Sequence, residues 1–313
     1  MCKHMSFPVL RWPVGPQGIL LVLFFLPYAT NGGKMSQAPG VVYPHLIESR
    51  SDEVSKVIRI AENITLHLKK SSLLGKEFLL RTYQGDVMEH NYLDGEILEE
   101  NLYHDTQSFA SVIVSDDDGL KVEGIISPHQ GIKPLYSRER MRQRNVPHVV
   151  YALASERFQE DTEKFSRPVS SYVSQRHNVQ QRLPRKVYLE LLIIVDSYFR
   201  KQFDSKDALL TYLLISMNSV NMRYLTVSDP EVGIILRAVE VCNHQVENNF
   251  LVRLGRNHVD GYDTLLKLQN YVKTNMDKYK VYDAVYLITG LDMGYEWKGE
   301  WQSGQQAPPL SQR

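Results

Sequence analysis

The 313 residues are 43% hydrophobic and 23% charged, a globular balance rather than a disordered one, and the length allows two domains of ordinary size. Lys plus Arg and Asp plus Glu both number 36, so the formal net charge is zero. A neutral chain has no electrostatic footprint for nucleic acid, and that class of partner is set aside.

At the N-terminus Lys3 and Arg11 precede a short apolar run, Ile19–Pro27, and small or polar residues follow it. Positive flank, apolar core and small-residue exit describe a secretory signal peptide over residues 1–33, cut near Ala29–Gly33, with Met5 as an alternative start. The run is too short to span a bilayer, which takes about 20 apolar residues. Removal of the signal takes Cys2 with it and leaves Cys242 as the single cysteine. In an oxidising compartment a lone cysteine signals an intermolecular bond, a reactive thiol or a missing partner.

Residues 34–136 read as a β-rich domain. "NITLHL" puts Ile64, Leu66 and Leu68 on one face at period two, as a half-buried strand requires. Asn63-Ile64-Thr65 is the only sequon, hence a glycosylation site at the surface in a secreted chain. "EFLLRTY" (Glu77–Tyr83) reads as another strand. "SFASVIV" and "LKVEGIIS" flank Ser115–Gly119, a hairpin with its turn on Asp118-Gly119. The three aspartates there lack the spacing and the bidentate Glu of a calcium loop.

Residues 137–185 are charged and poor in apolar periodicity, which reads as a linker or solvated surface segment. The segment ends in Arg182-Leu183-Pro184-Arg185. R-x-x-R beside a proline presents an extended, cationic stretch to an acidic processing-protease cleft, so cleavage after Arg185 is expected.

From Lys186 the pattern changes again. "VYLELLIIVD" (Val187–Asp196) is almost continuously apolar, as in a strand buried on both faces. Next, Leu209, Leu210, Leu213, Leu214, Met217, Val220 and Tyr224 recur at helical spacing behind an N-cap at Asp204 or Ser205. Val232–Cys242 reads as a strand interrupted by Arg237 and Glu240. A second helix follows, with Leu265, Leu268, Val272, Met276 and Tyr279 as its stripe and Asp260 as its cap. Tyr282–Gly290 is a third strand. The order β-α-β-α-β predicts a parallel sheet with right-handed crossovers. From Gly294 the chain is polar, with two consecutive prolines, and residues 294–313 read as a disordered tail.

Chemistry-bearing motifs are scarce. No G-x-G-x-x-G, G-x-x-x-x-G-K-[ST] or G-x-S-x-G occurs, so neither phosphate cradle nor the usual hydrolase elbow is present. None of the ten histidines stands four residues from another, so no pair can share a helix face to hold zinc. His244 and His258 read as loop histidines. A small-molecule-binding α/β protein survives on fold class alone.

"YLELLIIVD", the helix "LLTYLLISMNSVNMRYL", the strand ending "VEVC" and "DAVYLITGLDM" resemble, in that order, the catalytic domain of reprolysin-type zinc metallopeptidases: the snake-venom metalloproteinases, the ADAM proteins and, most closely, the tick salivary metalloproteinases. Upstream, "VVYPHLIESR", "ENITLHLKKSSLL" and "SFASVIVSDDDGLKVEGIIS" resemble the reprolysin propeptide. The resemblance covers almost all of Val41–Met293. It implies a secreted zymogen of a zinc endopeptidase acting on extracellular proteins: a β-rich propeptide followed by a metzincin-like β-α-β-α-β subdomain over residues 186–293. The family's H-E-x-x-H-x-x-G-x-x-H zinc helix is expected downstream of the third strand, and these 313 residues do not contain it. They are therefore expected to bind no zinc and to be inactive alone; a non-enzymatic binding or inhibitory partner of full-length relatives is the alternative. Val41–Arg185 holds no cysteine, so latency by a thiolate on zinc is not expected. Glu190 and Asp283 match two calcium ligands of some relatives, without the six to eight oxygens that calcium takes. The family counterpart of Cys242 is expected to pair with a downstream cysteine, which is absent here.

Overall fold

In a computed structural model, residues 20–23, 40–49, 55–135, 146–153, 184–228, 230–297 and 300–303 are described. The rest of the signal-peptide reading, Arg182, Leu183 and residues 304–313 lie outside them. In chain order the first strands are β1 (Leu20–Leu23), β2 (Gly40–Val42), β3 (His45–Ser49), β4 (Ser55–Ala61), β5 (Ile64–Lys70), β6 (Leu74–Gln84) and β7 (Val87–Asp94). Helix α1 (Gly95–Leu98) leads to β8 (Leu102–Asp105), β9 (Ala110–Ser115), β10 (Lys121–Ser127), β11 (Gln130–Pro134) and β12 (His148–Ala152). Beyond the linker come β13 (Lys186–Val195), α2 (Ser197–Arg200), α3 (Lys206–Tyr224), β14 (Glu231–Val241), α4 (His244–Glu247), β15 (Arg253–Leu254) and β16 (His258–Asp260). The chain continues through α5 (Gly261–Thr274), α6 (Met276–Tyr279), β17 (Ala284–Ile288), β18 (Asp292–Trp297) and β19 (Glu300–Ser303).

Alternation builds the first sheet. Leu66 and Leu68 of β5 point inward with Ile58 and Ile60 of β4, and Val112, Val114, Val122 and Ile132 complete one apolar layer. The sheet has nine strands in the order β2-β12-β11-β10-β9-β8-β5-β4-β3, paired antiparallel throughout. The β9–β10 hairpin opposes Ser115 to Lys121, around the expected Asp118-Gly119 turn, where Gly119 takes φ +97°. His148–Ala152, read from sequence as linker, is a strand of this sheet. Its pairing with β11 is non-local, so no turn signal announced it.

The second sheet has the order β1-β17-β13-β14-β6-β7. β13 is parallel to both β14 and β17, as the β-α-β-α-β pattern predicts. From Leu191 on, both faces of β13 are buried: Leu191, Ile193 and Val195 pack towards α3, and Leu192 and Ile194 towards α5 and α6. That explains the unbroken apolar run, since a parallel strand covered on two sides has no polar face. Ser205 caps α3 by accepting the Ala208 N–H, and Asp260 caps α5 by accepting that of Asp263.

Helix α3 is buried on more than the expected stripe: Ile215, Ser216, Asn218 and Ser219 are covered too. A helix apolar around much of its girth needs a second cover. The β-rich sheet supplies it. Ser111 Oγ donates to the Ile215 carbonyl at 2.8 Å, and Asn218 Nδ2 donates to Ser111 Oγ at 3.0 Å.

Three further features depart from the sequence reading. β6 and β7 leave the β-rich region and join the second sheet, with β6 parallel to β14. β1, inside the apolar run read as a signal peptide, pairs parallel with β17 from Leu20↔Ala284 to Leu23↔Leu287. The stretch from Gly294, read as a structureless tail, contributes β18 and β19, an antiparallel pair docked parallel on β16. Trp301 Nε1 donates to Asp292 Oδ2 at 2.9 Å, and its ring stacks on His258 at 4.4 Å. Among the described residues no helix is long and apolar enough to cross a membrane.

Candidate functional site

In open parallel sheets, ligands gather at the carboxyl ends of the strands. Here β13 is followed by Asp196, β14 by Cys242 and β17 by Thr289 and Gly290. Asp196 is fully buried. One of its carboxylate oxygens accepts the N–H groups of Phe199 (2.7 Å) and Gly290 (3.1 Å), and the other accepts the Thr289 hydroxyl (2.6 Å). Burial pushes its carboxyl up to about 6, against the hydrogen bonds that favour the charged form. Glycine is required at 290, because a Cβ there would lie 2.5 Å from the Phe199 nitrogen.

Beside it, Ser197, His244 and Glu247 form a cluster that the sequence did not announce. Glu247 is fully buried; it accepts the Ser197 N–H at 2.8 Å and the Ser197 hydroxyl at 2.9 Å. His244 Nδ1 lies 2.5 Å from Glu247 Oε1 and 3.2 Å from Ser197 Oγ. A nucleophilic triad needs serine and carboxylate on opposite ring nitrogens. Here both lie nearest the same nitrogen, Ser197 Oγ reaches Nε2 only at 3.5 Å, and Nε2 faces Lys201 Nζ at 3.1 Å. The arrangement locks α2 to α4 and does not activate a nucleophile.

Cys242 is a free, buried thiol. Burial, then the nearby carboxylates Glu240, Glu247 and Asp196, push it well up, so it stays protonated.

Glu190 and Asp283 do meet. Asp283 Oδ2 accepts the Glu190 N–H at 2.9 Å, and the Asp283 N–H donates to the Glu190 carbonyl at 2.9 Å. The Glu190 carboxylate, though, lies 3.8 Å from the Arg237 guanidinium. Two carboxylates, one already holding a backbone N–H and the other facing a cation, do not fit calcium. Among the described residues no three His, Cys, Asp or Glu side chains gather as a metal-holding group. The donor set among the described residues does not fit zinc either.

A cleft of about 340 Å³ separates Ser72–Leu74 and His104 on the β-rich side from Lys186, Tyr188, Asn218 and Asn221 on the other. Three of its polar side chains are engaged: His104 with Ser71 Oγ (2.8 Å), Asn218 with Ser111, and Asn221 with the Ile234 N–H (2.9 Å).

The most developed polar site lies inside the second sheet. Glu240 of β14 is fully buried. It receives Arg81 Nη1 at 3.3 Å, the Tyr83 hydroxyl at 2.7 Å and the Tyr279 hydroxyl at 3.1 Å. Arg81 Nη2 also reaches the Lys278 carbonyl and Tyr282, and its guanidinium lies over the Tyr279 and Tyr282 rings. Burial and then Glu240 push the Tyr83 and Tyr279 hydroxyls up, which keeps them donors. The sequence carried a partial signal for this network: Arg81 follows Phe78-Leu79-Leu80 and Glu240 lies between Val239 and Val241, each a charge inside a local apolar stretch.

Of the remaining sites, Asn63 is exposed in the two-residue turn between β4 and β5. Arg185 is exposed, and its carbonyl accepts the Glu231 N–H at 2.9 Å just before β13 begins.

No family model matches the chain, and no solved structure matches it. Among curated proteins, it is 24% identical over 266 residues to the antarease-like venom metalloproteinase of Tityus trivittatus, covering 81% of this chain and 64% of that protein. The venom metalloproteinase antarease of Tityus serrulatus matches at the same identity and coverage. A venom metalloproteinase of Olivierus martensii is 24% identical over 289 residues, or 88% of this chain and 70% of that protein. The chain thus spans about two thirds of the length of its scorpion relatives. These similarities support a metalloproteinase family for the chain.

Proposed function

We propose that the chain belongs to a secreted, reprolysin-type metalloendopeptidase precursor. Residues 34–136, with β12, are its propeptide; Lys186 onward is the leading part of its peptidase domain. Proteolysis of extracellular proteins is the activity of the whole enzyme. The observation that carries this reading is the parallel β17-β13-β14 core with α3 and α5 on opposite faces, in a chain similar over 81% of its length to a relative named as a venom metalloproteinase. Processing after Arg185 separates the two parts of the backbone, in an extracellular or secretory compartment.

Expression in secreting cells, followed by N-terminal sequencing of the products, tests the boundary. A product starting at Lys186 is expected, and intact secreted chain with no cut near Arg185 sinks the precursor reading. The 313 residues, purified and supplied with zinc, are expected to show no chelator-sensitive cleavage of denatured protein substrates, because the sequence has no H-E-x-x-H and the described residues form no ligand set. Chelator-sensitive turnover would overturn that expectation.

A further inference from the structure

The hairpin β6–β7 precedes the linker in sequence yet occupies two positions in the sheet that follows it. Leu79, Leu80 and Arg81 of β6 pair in parallel register with Ala238, Val239 and Glu240 of β14. Phe78 and Leu80 enter the core shared with α3, and Leu79 enters the core shared with α5 and α6. The strand is therefore buried on both faces, as an interior strand of a parallel sheet is.

The hairpin supplies two of the three side chains that answer the charge of Glu240, the third being Tyr279 of α6. Its one cation is Arg81 and its shortest hydrogen bond is from Tyr83, 159 and 157 residues away in sequence. The side chains of Arg81 and Glu240 are 6% and 0% exposed. At the hairpin's turn, Asn243 Nδ2 donates to the Gly85 carbonyl at 2.6 Å. A buried carboxylate deprived of its cation and its phenol donor is costly, far more than an exposed one.

We propose that the β6–β7 hairpin is a constitutive part of the α/β region's sheet. Cutting the connecting segment then yields two chains that remain one noncovalent complex, clasped by Arg81 and Tyr83 on Glu240. Release of the N-terminal region requires unfolding or a second cut within the hairpin, and a single cut after Arg185 does not achieve it. The inference stands on the shared sheet and holds whether or not the whole protein is a peptidase.

The test uses the full chain with a sequence-specific protease site inserted between Lys164 and Phe165. After complete cutting, verified on a denaturing gel, size-exclusion chromatography with light scattering is expected to show one species of the original mass. Two separate species in native buffer would overturn the shared-sheet proposal. Cut Arg81→Met protein is expected to dissociate about 100-fold more readily or worse, since one partner of a buried pair is gone. Tyr83→Phe keeps the ring and removes only the hydroxyl. It is expected to loosen the complex by about tenfold, and it serves if Arg81→Met does not fold. Dissociation of both cut variants at the wild-type rate overturns the clasp.

Discussion

Two buried carboxylates show how differently the two regions are built. Glu99, in the N-terminal region, accepts the N–H groups of Leu73 and Leu74, each at 2.7 Å and only 26 and 25 residues away. Glu240 reaches 157 and 159 residues back for Tyr83 and Arg81. The antiparallel sheet closes most of its pairings through hairpins and satisfies Asp105 and His148 near at hand, Ser111 being the group that reaches across to α3. The parallel sheet borrows strands and countercharges from across the linker. The first region is locally self-sufficient, and the second depends on the first.

Breaking that dependence gives the largest expected effect. Arg81→Met leaves Glu240 buried beside an apolar side chain, and a loss of about 3–5 kcal/mol is expected in urea unfolding at pH 7. Adding Glu240→Gln removes the stranded charge but keeps an oxygen for Tyr83 and Tyr279, so the double variant recovers most of the loss. Glu99→Gln retains an acceptor for both N–H groups and is expected to cost less than Arg81→Met. A double variant no more stable than Arg81→Met alone would show that the charge is not what matters.

The same contrast governs what could be read from the sequence. The β9–β10 turn, the Asp260 and Ser205 caps, and the parallel order of β13, β14 and β17 all lie in short-range patterns. They were legible because a turn, a cap or a β-α-β alternation needs only nearby residues. The transfer of β6–β7 to the second sheet was not, because Glu77–Tyr83 reads as a strand without naming its neighbour. β12 was hidden in the same way inside a charged segment. At the C-terminal side, Tyr295, Trp297 and Trp301 flank Lys298-Gly299, a hairpin pattern outweighed by the polar composition around it. The Glu190–Asp283 proximity followed from β13 and β17 being neighbours. What that pairing could not convey was that Arg237, on β14, faces Glu190.

Titration sharpens the contrast at a third buried acid. Asp196 titrates at about 6 when folded, against 3.8 for the free side chain, because burial disfavours its charged form. Between those values the folded state holds more protons than the unfolded one, so stability falls as pH rises from about 4 through about 6. A shift of this size corresponds to roughly 3 kcal/mol. His148, buried in the first sheet, has the opposite sign. Burial lowers its pKa, and its Nε2 accepts the Val122 N–H at 2.9 Å while its Nδ1 meets the Val146 carbonyl. Its stabilisation is complete above about 6.5 and is lost as pH falls below that value. Asp196→Asn keeps an acceptor for the Phe199 and Gly290 N–H groups and removes the titration. Subtracting its pH–stability curve from that of wild type is expected to leave a slope confined to pH 4–6; a flat difference would mean that Asp196 is not shifted.

The smallest effect belongs to Asn63, and its smallness is informative. Asn63 sits exposed in a two-residue turn whose flanking residues Ala61 and Ile64 pair directly. The adjoining strands are held by Ile58, Ile60, Leu66 and Leu68 in the core, all at or below 1% exposure, and not by the turn's side chains. Asn63→Gln removes the glycan acceptor without touching that core, so the change in unfolding free energy is expected to stay within about 0.5 kcal/mol. Protein secreted from eukaryotic cells is expected to lose a glycosidase-sensitive mass increment on the same substitution. Loss of the glycan with unchanged stability would mark the first sheet as self-supporting at the β4–β5 turn. A large destabilisation would mean that the turn itself holds the β4–β5 register, and the self-sufficiency of the N-terminal sheet would then rest on its loops as much as on its alternating core.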